Sequence, residues 1–166
     1  MTFGYDPAYP VLRDVSSDCA PRDRVAIVVA SCAGKTTPLK LLTRLYDVQS
    51  GSISLDGVDV RDYSLSDLRS RIGILPQDVF LFGGDVLHNV RLGHPEISEQ
   101  EARAAANRLH LDQLVARFPL GYREPVRERG ANLSSGERQL VAFARVLAVA
   151  PAVLALDEAT SQVDSQ

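Results

Sequence analysis

RVAIVVASCAGKTT, running from Arg24 to Thr37, is the stretch on which the reading of this chain turns. Its first half, Arg24 to Val29, is a β-branched run without polar alternation, the pattern of a parallel strand buried on both faces. Its second half passes through small residues to Gly34-Lys35-Thr36, and a leucine-rich stretch of helical spacing follows. Strand, tight loop and helix start in that order build a phosphate cradle, in which backbone N–H groups and the helix N-terminus face phosphate oxygens. The candidate cradle is Val29, Ala30, Ser31, Cys32, Ala33, Gly34, Lys35, Thr36 and Thr37. In it Lys35 reaches the β- and γ-phosphates and the Thr36 hydroxyl ligates Mg²⁺. Taken alone, the same residues also suit an ordinary strand-turn-helix junction.

Working outward, Ile72 to Leu75 and Val153 to Leu156 are two more short apolar runs of the buried-strand kind, so an α/β sheet is expected. Thr2 to Tyr5, Val11 to Val15 and Ile53 to Leu55, the last followed by Asp56-Gly57, read as short antiparallel pieces beside it. Helix starts are marked by a serine and an acid three residues later at Ser64/Asp67, Ser98/Glu101, Ser134/Glu137 and Ser161/Asp164. Between Gln77 and Asn132 no buried-strand run stands out. The expected layout is therefore one partial domain over 1–166, with a core of 1–76 and 140–166 and a helical insertion over 77–139 carrying two motif segments.

Composition narrows the class. With 166 residues, 45% hydrophobic and 23% charged, the chain has the balance of a globular protein that can bury a core, so an ordered domain is expected. A net charge of -3 gives no electrostatic case for nucleic acid as a partner. Two cysteines, Cys19 and Cys32, form neither a disulfide framework nor a metal-ligand spacing, which points to a reducing compartment. The N-terminus lacks the basic flank and apolar stretch of a signal peptide. The apolar stretch from Leu140 to Leu156 is broken by Arg145 and Pro151, so it reads as no membrane span.

Asp157 and Glu158 follow directly on the Val153 to Leu156 run, at the strand end where open α/β sheets bind ligands. Asp157 is placed to hold Mg²⁺ and Glu158 to polarise an attacking water. Read alone the pair is a solvated turn; behind a phosphate cradle it gains weight.

Leu133-Ser134-Ser135-Gly136-Glu137-Arg138-Gln139 makes the likeness specific. It resembles the LSGGQ signature of ATP-binding cassette (ABC) proteins, with Ser135 and Glu137 as departures. The resemblance implies a P-loop NTPase fold with a parallel-sheet core, antiparallel N-terminal pieces and an inserted helical subdomain. It implies that Ser134 and Gly136 contact the γ-phosphate of nucleotide held by an opposite subunit. Gln77, in ILPQD, resembles the Q-loop glutamine, which senses nucleotide and its metal and communicates with a transmembrane domain. Tyr5 resembles the aromatic that stacks on adenine, and Ser161 to Asp164 resembles the loop that crosses a cassette dimer. Val79 to Gly93 and Glu128-Arg129-Gly130 resemble segments of exporter-type cassettes.

What the resemblance implies for function is an ATPase motor domain of an exporter. It would use ATP and Mg²⁺, pair with a second cassette, and serve a transmembrane domain at the cytoplasmic face of a membrane. Glu158, Gln77 and Lys35 would act in hydrolysis. Some positions depart from the family pattern. Val29 and Cys32 stand where glycines are expected, Pro38 early in the helix removes an N–H and biases Thr37 away from helical geometry, Arg22 replaces a turn glycine, and Ser17 and Cys19 fall at expected apolar positions. The family continues past the equivalent of Gln166 to a switch histidine, and His88, His94 and His110 are out of order to replace it. These departures imply weakened nucleotide binding and leave open a nucleotide-sensing or structural cassette. A soluble cassette ATPase of DNA maintenance fits less well, given the acidic charge and the exporter-like Glu128-Arg129-Gly130.

Overall fold

The computed structural model describes residues 1–28 and 34–157. They form two compact units, Met1–Arg69 and the stretch from Ser70 on.

The first unit opens with short antiparallel contacts. Thr2 pairs with Ser50, Phe3 with Leu12, and Asp6 with Tyr9, in line with the reading of residues 2–5 and 11–15. Helix α1 spans Thr37–Leu42. Strands β1 (Ser54–Leu55) and β2 (Val58–Asp59) pair antiparallel across Asp56 and Gly57. The φ angles of those two turn residues, 51° and 80°, are the consecutive left-handed values of the hairpin turn that favours Asp-Gly. Helix α2 covers Leu65–Arg71, and the Ser64 hydroxyl accepts from Asp67 N–H at 3.1 Å, capping it as expected.

Two expectations for this unit are corrected. Arg24 to Val28 form no strand, and Val25, Ile27 and Val28 are exposed. Intrinsic strand preference spans only about 1 kcal/mol per residue and cannot hold a strand without ladder partners and apolar cover; these residues have neither in the described structure. Pro38 does not push Thr37 out of helical geometry: Thr37 is the first residue of α1 and Pro38 the second. The first turn of a helix has no acceptor for its N–H groups, so proline removes nothing there.

In the second unit, β3 (Ile72–Leu75) and β6 (Val153–Leu156) pair in parallel from Ile72↔Val153 to Leu75↔Leu156, the parallel pair that the two apolar runs announce. Between them lie α3 (Val86–Val90), α4 (Glu99–Asn107), α5 (Leu111–Val115) and α6 (Ser135–Ala148). Their apolar faces meet in one core that includes Leu81, Leu87, Leu111, Leu114 and Val141. A two-residue pair, β4 (Gly84–Asp85) with β5 (Pro125–Val126), closes this region antiparallel and was not anticipated, being too short to show a period. Ser98 and Ser134 each make the full reciprocal cap with Glu101 and Glu137. Ser161 and Asp164 lie outside the described residues.

A polar latch ties α6 to the chain ahead of α3. Buried Asn89 accepts from Phe82 N–H at 2.8 Å and donates to Phe82 O at 2.8 Å, as a strand neighbour would. Arg145 donates to Asn89 O (2.8 Å), Asn89 Oδ1 (3.0 Å) and Phe80 O (3.1 Å). Its burial lowers the guanidinium pKa from the usual value. No helix of the described residues is long and apolar enough to cross a membrane.

Candidate functional site

In the first unit Gly34 holds φ at 105°, a left-handed value that glycine tolerates. A Cβ there would lie 3.2 Å from Val11 Cγ1. Thr36 takes the cap position of α1, and the buried Thr37 donates its N–H to Gly34 O at 3.2 Å. Lys35 is half-buried. The Tyr5 hydroxyl lies 3.2 Å from Thr37 Oγ1. The Tyr5 ring meets Phe3 and Tyr46 edgewise, each at 5.2 Å between centroids. Lys40 Nζ stands over that ring at 5.3 Å from its centroid. The aromatic assigned to a base and a threonine assigned to the phosphate cradle are thus in contact. Val29, Ala30, Ser31, Cys32 and Ala33 lie outside the described residues.

In the second unit Asp157 follows β6, and its N–H donates to Leu75 O at 3.0 Å, carrying the parallel ladder one step further. Gln77 follows β3 on an exposed bend. Gln77 and Asp157 therefore leave the same end of the parallel pair, the carboxyl end at which open α/β sheets bind ligands. Glu158 lies outside the described residues.

Ser134 caps α6: its Oγ accepts from Glu137 N–H at 3.3 Å, and Glu137 Oε2 accepts from Ser134 N–H at 2.8 Å. Sequence reasoning missed the third member, Arg117, which pairs with Glu137 Oε1 at 2.6 Å. It sits 20 positions away, with no local pattern to announce it. Gly136, in the first turn, has an ordinary negative φ and nothing within 4 Å of where a Cβ would stand. Neither backbone conformation nor packing requires glycine there.

Glu128-Arg129-Gly130 forms a tight 3-10 turn before α6. Arg129 is held at φ 54°, and a Cβ on Gly130 would come within 2.8 Å of Arg138 Cδ. A cleft of about 370 Å³ opens beside α3, lined by Asp85, His88, Arg91, Leu92, His94 and Arg123 among others. Arg123 bridges Asp85 (3.3 Å) and Glu99 (2.8 Å) at its rim.

A family model described as "ABC transporter" matches residues 12–161. The mitochondrial iron-sulfur clusters transporter atm1 of Aspergillus fumigatus is 44% identical over 165 residues, 99% of this chain and 23% of that protein. A fatty acid ABC transporter ATP-binding/permease protein of Mycobacterium tuberculosis is 43% identical over 166 residues, 100% of this chain and 26% of that protein. Among solved structures, a bacterial Atm1-family ABC exporter with ATP bound aligns with a TM-score of 0.91 at 42% identity, covering 99% of this chain and 29% of that one. The chain spans about a quarter of the length of these relatives.

Proposed function

The chain belongs to the ABC transporter family, and from that membership we propose that it is the ATP-binding and ATP-hydrolysing motor domain of an exporter. Its core would be residues 1–76 and 140–166 and its helical insertion residues 77–139. In this reading Tyr5 stacks on adenine, and Gly34, Lys35, Thr36 and Thr37, with Val29 to Ala33, hold the phosphates. Thr36, Gln77 and Asp157 hold Mg²⁺, which when bound neutralises charge developing on the transferred phosphoryl group. Glu158 accepts a proton from the attacking water. Ser134 and Gly136 offer the N-terminus of α6 to the γ-phosphate of nucleotide on a second cassette, where a helix dipole and free N–H groups favour an anion.

The observation that carries this reading is Gly136, a helix glycine without a conformational or packing reason, directly beside the signature serine. The transported substrate is selected by the membrane-spanning partner. The segment from Val79 to Gly93 and the turn at Glu128 to Gly130 form the face proposed to meet that partner, at the cytoplasmic side of a membrane.

The test uses the chain with Glu158→Gln, which keeps the side chain's shape but removes its basicity, so bound ATP is held without turnover. Glycine is restored at Val29 and Cys32. In sedimentation velocity, MgATP is expected to shift this protein from monomer to dimer. Adding Gly136→Ala is expected to keep or raise its stability to urea while abolishing the shift. A Gly136→Ala protein that still dimerises with ATP would end this assignment. The unrepaired chain is expected to bind MgATP more weakly than micromolar, that is, with less than about 8 kcal/mol of binding free energy.

A nucleotide-sensing cassette without turnover is the second reading, and the positions that favour it are Val29 and Cys32. The accommodation of Pro38 in α1 removes one argument for it.

A further inference from the structure

Gln49 makes two hydrogen bonds to one backbone residue. Gly4 N–H donates to Gln49 Oε1 at 2.9 Å, and Gln49 Nε2 donates to Gly4 O at 2.9 Å. The residues around it already run side by side: Thr2 N–H donates to Ser50 O at 2.8 Å, and Gln49 N–H donates to Thr2 O at 3.2 Å. The carboxamide extends that pairing by one residue, using a side chain in place of a peptide group. Gln49 is exposed overall, so a long side chain gives up rotamer freedom in solvent to hold this contact.

Gly4 is the residue before Tyr5, and it is confined from the other side as well. A Cβ on it would meet Tyr9 O at 2.6 Å and Asp6 O at 2.7 Å. Tyr5 is therefore fixed at two ends, through its backbone by the Gly4 clamp and through its hydroxyl by Thr37 Oγ1 at 3.2 Å. Its ring remains half exposed.

We propose that Gln49 is a positioning residue for a purine-base platform: by bonding both backbone groups of Gly4 it sets the direction in which the Tyr5 ring faces a bound nucleotide. The proposal rests on the reading of this chain as an ATP-binding cassette and adds to it a residue outside every sequence motif. Gln49 touches no ligand; its effect passes through Gly4 to Tyr5. A ring held in place before the ligand arrives gives up little entropy on stacking, whereas a free ring loses part of the stacking free energy in being ordered.

The experiment compares MgATP with magnesium tripolyphosphate, which carries the phosphates without the base, by calorimetric titration of the 166-residue chain and of Gln49→Leu and Tyr5→Ala. Leucine keeps the bulk of glutamine near the backbone and loses both hydrogen bonds. Gln49→Leu is expected to weaken MgATP about tenfold while leaving tripolyphosphate unchanged. An equal loss for both ligands would show that Gln49 merely supports the fold around the phosphates, and no loss for either would show that it does nothing; each overturns the proposal. If Tyr5→Ala keeps the full preference for ATP over tripolyphosphate, the platform itself is wrong.

A second measurement needs no nucleotide. In the unaltered chain, the Tyr5 ring protons are expected to show one resonance set with cross-relaxation to Tyr46, and in Gln49→Leu these cross-peaks are expected to weaken. Failure of the unaltered chain to bind either ligand would count against the ATP reading, and the ring signals would then decide the proposal on their own. Unchanged Tyr5 signals in Gln49→Leu would overturn it.

Discussion

Gly73, in the middle of β3, has no space for even one more carbon. A Cβ would sit 2.5 Å from Val146 Cγ1 and 2.7 Å from Pro151 Cγ. Gly73→Ala is therefore expected to force α6 away from the strand and to cost about 2 kcal/mol, within the usual range for overpacking. A urea unfolding midpoint equal to that of the parent would show that α6 gives way freely. Arg22 is the opposite case. It occupies φ 71°, where a side chain is strained and glycine is not. Arg22→Gly is expected to stabilise the chain by up to about 1 kcal/mol in the same assay, since relief of strain outweighs the added freedom of the unfolded chain. The glycine that the family pattern places at residue 22 was legible in the sequence and agrees with the backbone there. The tight fit at Gly73 was not, because it depends on a helix and a proline some 75 residues later in the chain.

Among the elements, those with a written start or a written turn were the legible ones. The Ser98 and Ser134 caps, the Asp56-Gly57 hairpin and the β3 and β6 runs all form as read. The capping box on α6 gives a direct check: Ser134→Ala leaves the N–H of Glu137 without its acceptor and is expected to cost about 1 kcal/mol in urea unfolding. A loss below a few tenths would mean that Arg117 and Glu137 hold the helix start unaided. The hairpin gives a check by pH. Asp59 accepts from Arg61 Nε at 2.9 Å and Arg61 Nη2 at 2.6 Å, and these bonds hold its carboxyl at a pKa of about 2. A pKa lowered on folding means that the contact stabilises the fold above the ordinary aspartate value of 3.8 and that this stabilisation is lost as pH falls through about 2. Carboxyl chemical-shift titration is expected to show a midpoint near 2, moving up toward 3.8 in Arg61→Ala. A midpoint unmoved by that substitution would assign the shift to another cause. The Arg24 to Val28 run was misread for the reason that short apolar runs often are: it has the composition of a strand, but a ladder must be supplied by other parts of the chain.

For the whole molecule, the assigned site residues fall in both compact units, with Tyr5 and the cradle in the first and Gln77, Asp157, Ser134 and Gly136 in the second. A ligand that binds the folded chain raises its melting temperature by mass action, about 2.7 kcal/mol at a hundred times its dissociation constant. Millimolar MgATP at that ratio is expected to raise the melting temperature by roughly 5–10 °C. Lys35→Ala is expected to remove the shift, because the ammonium that neutralises the β- and γ-phosphates is gone. An equal shift in Lys35→Ala would move phosphate binding away from the cradle. Sequence motifs put forward candidate participants in both units. They could not disclose Arg117, Gln49 or the Asn89–Arg145 latch, since each joins residues distant in the chain through side-chain geometry alone.

Val25, Ile27 and Val28, the last 90% exposed, stand open to water next to the charged run Arg22, Asp23 and Arg24. Leu154 and Leu156 on β6 are also half open. Stretches of this kind, β-branched, nearly uncharged and free of proline, pair readily with copies of themselves. The practical consequence concerns handling and cellular fate: this polypeptide will precipitate more readily as it is concentrated, and a ribosome producing it presents chaperones with an adhesive segment before the residues of the second unit have emerged. Asp23, which also accepts from Ala20 N–H at 3.1 Å, and Arg24 then serve as gatekeepers, charges at one border of the segment that slow its self-association.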